Sequence, residues 1–143
     1  MSEARKIRIL IADDFKSLRD VIRLYLERAA DMEVVGEAPE LDAAIARAHA
    51  LQPDVIIMND YLPPVDSALA ATLFHEQGIA AAVLAISMSV EPDLIRRSLE
   101  QGVLGFIHKD EIDTVLVEAI QSIHRGDRYL SPKAREAYGA SPA

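Results

Sequence analysis

Short apolar runs alternate with segments of helical spacing along the chain, and this alternation restricts the fold more than any other feature. The runs share apolar, often β-branched residues and occupy Ile7–Ala12, Met32–Ala38, Val55–Met58, Ala81–Ser87 and Gly105–His108. Between them, apolar residues recur at steps of three and four, most clearly in the last segment. Its stripe consists of Ile112, Val115, Leu116, Ala119, Ile120 and Ile123. Strict alternation of strand and helix predicts right-handed crossovers and a parallel sheet with helices on both faces.

Proline and glycine positions agree with this division. The less regular helical segments lie near Ser67–Gln77 and Pro92–Gln101. Gly78 stands where the first of these should end, and Pro92 suits the first turn of the second. These residues therefore support five strand-helix units in one α/β domain.

The composition limits the classes of function. With 15 basic and 23 acidic residues, the net charge of -8 argues against nonspecific binding of this chain to nucleic acid. Cysteine is absent, which excludes disulfides and thiolate metal sites. No apolar stretch approaches the roughly 20 residues of a membrane helix, and no secretory signal is evident at the N-terminus. We therefore expect a cytoplasmic domain over residues 1–132 without membrane contact, with residues 133–143 forming the start of a linker or a frayed tail.

Polar residues follow four of the predicted strands at their carboxyl ends, where open α/β sheets bind ligands. They are Asp13, Asp14, Asn59, Asp60, Ser87 and Lys109. Each alone has an ordinary explanation as a helix cap, a turn residue or a solvated lysine. Together, however, paired acids, a hydroxyl and a lysine indicate phosphoryl transfer to a carboxylate.

Each member of this set has a chemical part in such a transfer. Adjacent carboxylates supply the hard oxygen ligands that Mg²⁺ prefers. The metal neutralises charge on the phosphoryl group, while a lysine and a hydroxyl hold its other oxygens. An aspartate at the third strand end would be the nucleophile.

Four motifs in this order resemble the receiver domain of two-component response regulators. They are Ile9–Asp14, Pro53–Pro63, Leu84–Ser87 and Gly105–Asp110. The closing segment Arg128–Pro132 is similar to the start of the linker in the NarL/FixJ subfamily of transcriptional regulators. The resemblance implies a flavodoxin-like sheet of five parallel strands in the order 2-1-3-4-5. It also implies a signalling domain rather than an enzyme, with a histidine kinase as partner.

The resemblance further implies a metal site and a switch. Asp14 would bind Mg²⁺ directly, and Asp13 would act largely through water. The backbone carbonyl of Tyr61 and the side chain of Asn59 would complete the metal shell. The switch residues are Ser87, which would bind the phosphoryl group and reorient, and Phe106, whose aromatic ring would report activation. Ser87 and Lys109 would serve the transfer at position 59, where Lys109 would pair with the acceptor and the phosphoryl oxygens.

The acceptor position departs from the family pattern. Counted from Pro53 to Pro63, the family's acceptor aspartate falls on Asn59 and not on Asp60. An amide oxygen is a poor nucleophile, because the nitrogen lone pair is delocalised over it. Side chains alternate along a strand, so we expect Asp60 to point to the face opposite Asn59. We therefore predict a chain that is locked unphosphorylated and binds Mg²⁺ more weakly.

Two origins of Asn59 remain open. It is either a natural feature of a degenerate receiver that acts by binding alone, or an engineered substitution that freezes the unphosphorylated state. The retention of Asp13, Asp14, Ser87 and Lys109 favours engineering or recent loss. The subfamily resemblance also suggests a parent protein with a DNA-binding domain.

Other classes of protein fit the sequence less well. A phosphatase that forms an aspartyl phosphate usually has a second acid two residues after the first, where this chain has Phe15. No Gly-x-Gly-x-x-Gly motif follows the first strand, and the four histidines lack metal-ligand spacing. The serious alternative is an interaction module that uses the face of the fourth helix, fifth strand and fifth helix, for a homodimer or an output domain. Candidate exposed positions there are Arg96, Arg97, Glu100, Glu118, Gln121 and Arg125.

Overall fold

The computed structural model describes residues 5–139, which fold around a main sheet of six parallel strands. The strands are β1 (Ile7–Ala12), β2 (Met32–Ala38), β3 (Val55–Asn59), β4 (Ala82–Ser87), β5 (Gly105–His108) and β6 (Tyr129–Leu130). The helices are α1 (Lys16–Glu27), α2 (Leu41–Leu51), α3 (Ser67–Glu76), α4 (Pro92–Glu100), α5 (Ile112–His124) and α6 (Pro132–Gly139). The strand order β2-β1-β3-β4-β5 confirms the predicted flavodoxin-like topology, and β6 extends the sheet beyond β5.

Alternating side chains of the strands build two apolar layers, one on each face of the sheet. In β1, Ile7, Ile9 and Ile11 pack with apolar residues of α1 and α5. The intervening Leu10 and Ala12 face the other layer, which contains residues of α2, α3, α4 and α6. Because both faces of the sheet are covered, β1, β3 and β4 are almost entirely apolar.

The strand register brings the predicted site residues to one edge of the sheet. Ala12 pairs with Met58, so Asp13 and Asn59 follow at the same level. Asn59 pairs with Ile86 in β4. Ser87 in turn pairs with His108, the residue before Lys109.

The C-terminal strand β6 and helix α6 were not predicted from the sequence. Tyr129–Leu130 pairs in parallel with Gly105 and Phe106, and α6 then packs against α4 and β5. Ala134 of α6 is fully buried in the same layer as Phe106. Residues 132–139 are therefore an ordered part of the domain, although we had assigned residues 133–143 to a linker start or a frayed tail. Residues 140–143 lie outside the described range.

Candidate functional site

Asp13 and Asp14 follow the end of β1 but differ in their environments. Asp13 is only 2% exposed, whereas Asp14 is exposed. The Asp13 Oδ1 accepts a hydrogen bond of 2.8 Å from the backbone N–H of Phe15. Burial raises the pKa of Asp13; the Phe15 N–H opposes this, the Asp14 carboxylate adds to it, and the charges of Arg19 and Lys109 lower it. Asp13 is thus a desolvated carboxyl that a nearby cation would stabilise in its charged form.

Arg19 holds the loop that bears these acids, and no sequence pattern predicted this role. Its Nη1 donates to the carbonyl of Asp13 at 2.6 Å, and its Nε donates to Glu37 Oε1 at 2.9 Å. Arg23 donates to the other oxygen of Glu37 through its Nε at 3.0 Å. Burial raises the pKa of Glu37, but the hydrogen bonds from Arg23 and Arg19 outweigh it, and this pKa lies below its ordinary value. The arginines therefore join α1, β2 and the loop after β1.

Asn59 is the last residue of β3 and is half-buried. Its Oδ1 accepts a hydrogen bond of 3.0 Å from the backbone N–H of Asp60. The same N–H also donates to the carbonyl of Ile86 at 2.8 Å. Because Ala12 pairs with Met58, the strand register brings Asn59 level with Asp13.

Asp60 lies in the bend after β3, and we expected its side chain to point to the face opposite Asn59. Its Oδ2 accepts a hydrogen bond of 2.7 Å from the hydroxyl of Ser87. Asp60 follows Met58 by two residues and Ser87 follows Ala85 by two, and Met58 and Ala85 pack in the same apolar layer. The contact is therefore consistent with side-chain alternation, but we had not predicted the hydrogen bond itself.

Ser87 occupies the end of β4 and is 1% exposed. Besides donating to Asp60, its Oγ accepts hydrogen bonds of 3.1 Å from the backbone N–H groups of Ser89 and Val90. Val90 adopts a positive φ of 39°, which is unusual for a β-branched residue. Ser87 thus anchors the loop that leads into α4.

The remaining predicted residues occupy distinct positions around this edge. Lys109 is exposed at the start of a 3₁₀ turn, Lys109–Glu111, and its charge acts on Asp13. Phe106 is fully buried in β5. Tyr61 is 51% exposed and belongs to a small hairpin formed by Tyr61–Leu62 and Val65–Asp66.

The oxygen donors at this edge fit Mg²⁺ in type but include few charges. Within residues 5–139, no group of three or more histidine, cysteine, aspartate or glutamate side chains is arranged to hold a metal ion. The predicted donors are the carboxylates of Asp13 and Asp14, with the amide oxygen of Asn59 and the carbonyl of Tyr61 as neutral donors, whereas the carboxylate of Asp60 at this edge accepts from Ser87. Oxygen donors with space for water are the usual setting of Mg²⁺.

The predicted interaction positions are exposed or half-exposed, but each has a polar partner within the domain. In α4, Arg96 pairs with Asp93 and Glu100, and Arg97 pairs with Asp93 and Asp66. In α5, Glu118 accepts from Tyr129, Gln121 donates to Asp31, and Arg125 lies near Asp127. Because α6 packs on α4 and β5, it covers part of the face that we expected to be free.

An open groove between α1 and α5 adjoins Lys109 and was not predicted. It is lined by Ser17, Leu18, Val21, Tyr25, Lys109, Asp110, Ile112 and Asp113. Val21 remains 42% exposed there. The groove is a partly apolar surface next to the candidate site.

Comparisons with known proteins agree with this arrangement. Residues 9–121 match the model of the response regulator receiver domain family. The chain belongs to this family, whose members act in two-component systems and generally bind Mg²⁺ at the acceptor site. Within residues 5–139, no helix is both long and apolar enough to span a membrane.

Several relatives are named as transcriptional or oxygen regulatory proteins. The oxygen regulatory protein NreC of Staphylococcus carnosus is 34% identical over 128 residues, which cover 89% of this chain and 59% of that protein. The probable transcriptional regulatory protein NarL of Mycobacterium tuberculosis is 30% identical over 130 residues, covering 91% and 60%. The solved receiver domain of NarL from the same species superposes with a TM-score of 0.81 at 31% identity, covering 86% of this chain and 99% of that one. The chain thus spans about 60% of the length of these curated relatives.

Proposed function

We propose that this chain is a receiver domain in which Asn59 occupies the phospho-acceptor position, so that the domain remains unphosphorylated. The observation that carries the proposal is the place of Asn59 at the end of β3, level with Asp13 and paired with the strand that ends in Ser87. An aspartate at position 59 would lie between the buried Asp13 after β1 and the strand β4, which ends in Ser87. The amide in its place lacks the charge and the nucleophilicity for phosphoryl transfer.

The residues around Asn59 are suited to hold a phosphoryl group. Lys109 would supply a positive charge from the end of β5, and Ser87 would supply a hydroxyl. Asp13 and Asp14, with Asn59 and the Tyr61 carbonyl, would hold Mg²⁺, which when bound neutralises charge on the phosphoryl group. Because Asn59 contributes no charge to that shell, we infer a weaker affinity for Mg²⁺ than an aspartate would give.

The domain would receive signals rather than catalyse the turnover of a metabolite, and it would do so in the cytoplasm. We infer a histidine kinase as its partner, with the groove between α1 and α5 as a surface close to the site. The names of the relatives and the length of chain they share support a longer parent protein with a DNA-binding output domain. A homodimer or output domain would contact the α4–β5–α5 face where α6 leaves it open.

The second candidate is a natural degenerate receiver that acts only by binding. The hydrogen bond between Ser87 and Asp60 favours it, because the hydroxyl already has an anionic partner within the protein. A dimer that persists without any phosphoryl donor would support this candidate.

Intact mass separates the two proposals. The chain and its Asn59→Asp variant are incubated with Mg²⁺ and acetyl phosphate, and an Asn59→Asp/Lys109→Ala variant serves as a control for the pocket. We expect a phosphoryl adduct on Asn59→Asp alone. An adduct on neither form would favour a pure binding module.

A further inference from the structure

The backbone of Asp60 is held by hydrogen bonds on both sides. Its backbone N–H donates to the carbonyl of Ile86, and its own carbonyl accepts from the N–H of Ser67, both at 2.8 Å. These bonds tie Asp60 to β4 on one side and to the start of α3 on the other. The carboxylate therefore meets Ser87 from a fixed position.

The hydroxyl of Ser87 has no further capacity for hydrogen bonding. A serine hydroxyl has one proton and two lone pairs. The proton is donated to Asp60, and the lone pairs accept the N–H groups of Ser89 and Val90. Any new acceptor for that proton must first displace Asp60.

The loop after β4 depends on this hydroxyl. Met88 is 71% exposed, Ser89 is also exposed, and Val90 has the strained positive φ. Residues held in sparsely populated backbone conformations persist only where surrounding contacts define them. The contacts that define this loop converge on Ser87 Oγ, and through it on Asp60.

We propose that Asp60 is a positioning residue: its carboxylate holds Ser87, and through Ser87 the loop Ser87–Val90, in one conformation that needs no phosphoryl group. The effect of this role on phosphorylation rests on the proposed function. With an acceptor at residue 59, a phosphoryl oxygen would compete with Asp60 for the single proton of Ser87. The charge of Asp60 would also repel the incoming anion. Asp60 therefore favours the unmodified arrangement.

Amide hydrogen exchange measured by NMR tests the positioning role directly in the chain as it is. In Asp60→Ala, the amides of Ser89 and Val90 should exchange at least about tenfold faster, because the anchor of their acceptor is lost. Asp60→Asn should restore most of the protection, because its amide oxygen can still accept from Ser87. Asp127→Ala, which removes an exposed carboxylate near Arg125, is the matched control and should change nothing in this loop.

A double substitution separates positioning from a general loss of structure. In a Ser87→Ala background, removing the Asp60 carboxylate should cause no further acceleration at Ser89 and Val90, because the hydroxyl through which it acts is gone. Amides of β1 report whether each variant is folded. Unchanged exchange at Ser89 and Val90 in folded Asp60→Ala, or acceleration of equal size in both backgrounds, would overturn the proposal.

A second measurement addresses the consequence at the site. In the Asn59→Asp background, Asp60→Ala should accelerate adduct formation from acetyl phosphate several-fold. An equal rate with and without Asp60 would overturn the competition for Ser87. If Asn59→Asp forms no adduct at all, the proposed function fails, while the exchange measurements still decide the role of Asp60.

Discussion

Replacing Glu37 by glutamine keeps the shape of the side chain but removes the charge that Arg19 and Arg23 share. The side chains of Glu37, Arg19 and Arg23 are 26%, 14% and 36% exposed, so the cluster is partly screened by solvent. Hydrogen bonds to charged groups contribute about 1.5–3 kcal/mol to the free energy of unfolding, and solvent-exposed ion pairs contribute about 0.2–1 kcal/mol. We therefore expect Glu37→Gln to lower the free energy of unfolding by about 1–2 kcal/mol at neutral pH.

The pH dependence of this loss follows from the direction of the pKa shift. The folded-state pKa of Glu37 lies below its ordinary value of 4.5, because the hydrogen bonds from Arg23 and Arg19 outweigh the effect of burial. A carboxyl with a lowered pKa contributes stability that is fully present above its unfolded value and is lost as the pH falls through the folded value. The difference in the free energy of unfolding between the parent chain and Glu37→Gln should therefore be constant at neutral pH and shrink below pH 4.5.

Urea denaturation followed by circular dichroism measures this difference at neutral pH and at acidic values below 4.5. Glu33→Gln is a matched control, because Glu33 is an exposed residue of the same strand. Its effect should be close to zero at every pH. A loss in Glu37→Gln that stays the same at acidic and neutral pH would refute the role assigned to the charge of Glu37.

Three further changes have expected outcomes. Asn59→Asp adds a carboxylate beside the buried Asp13, so the free energy of unfolding without metal should fall by about 1 kcal/mol. Mg²⁺ should restore this loss. If calorimetry showed equal Mg²⁺ affinity for both forms, residue 59 would be excluded from the metal shell. Gly105→Ala should cost about 1–3 kcal/mol in urea denaturation, because the new Cβ would lie 2.5 Å from Leu84 Cδ1. Ala134→Asp places a charge at a fully buried position, so α6 should detach and trypsin should cleave after Lys133 sooner than in the parent chain; unchanged cleavage would contradict the packing of α6.

The strands and the topology were predictable because their signals are local. The runs Ile7–Ala12, Met32–Ala38 and Gly105–His108 match the observed strands residue for residue, and the third and fourth runs differ from theirs by one residue at one end. The first, third and fourth runs are almost uniformly apolar, as strands covered on both faces should be. The parallel order then follows from the alternation with helices.

The C-terminal segment was harder to predict because it carries little pattern of its own. Strand β6 has two residues, and α6 has eight with one fully buried side chain, Ala134. Both are stabilised by packing against β5 and α4, which are distant in sequence. Short elements of this kind depend on tertiary contacts that periodicity does not reveal.

The edge of the sheet that carries the candidate residues was predictable, but the hydrogen bonds among them were not. The rule that ligands bind at the carboxyl ends of strands selected Asp13, Asn59, Ser87 and Lys109, and the strand register brings them to one edge. The contact between Ser87 and Asp60 depends on the register between β3 and β4, which local sequence spacing does not reveal. The bridge from Arg19 to Glu37 spans 18 residues, and no local spacing encodes it.

We propose residue 59 as the acceptor position of a pocket that lacks only its nucleophile. The most direct test is to treat the Asn59→Asp variant with Mg²⁺ and acetyl phosphate, reduce the acyl phosphate with borohydride, and locate the modified residue by peptide mass spectrometry. We expect modification at residue 59 of the variant and none in the parent chain. Modification at Asp60 in either form would contradict the assignment of residue 59 as the acceptor position.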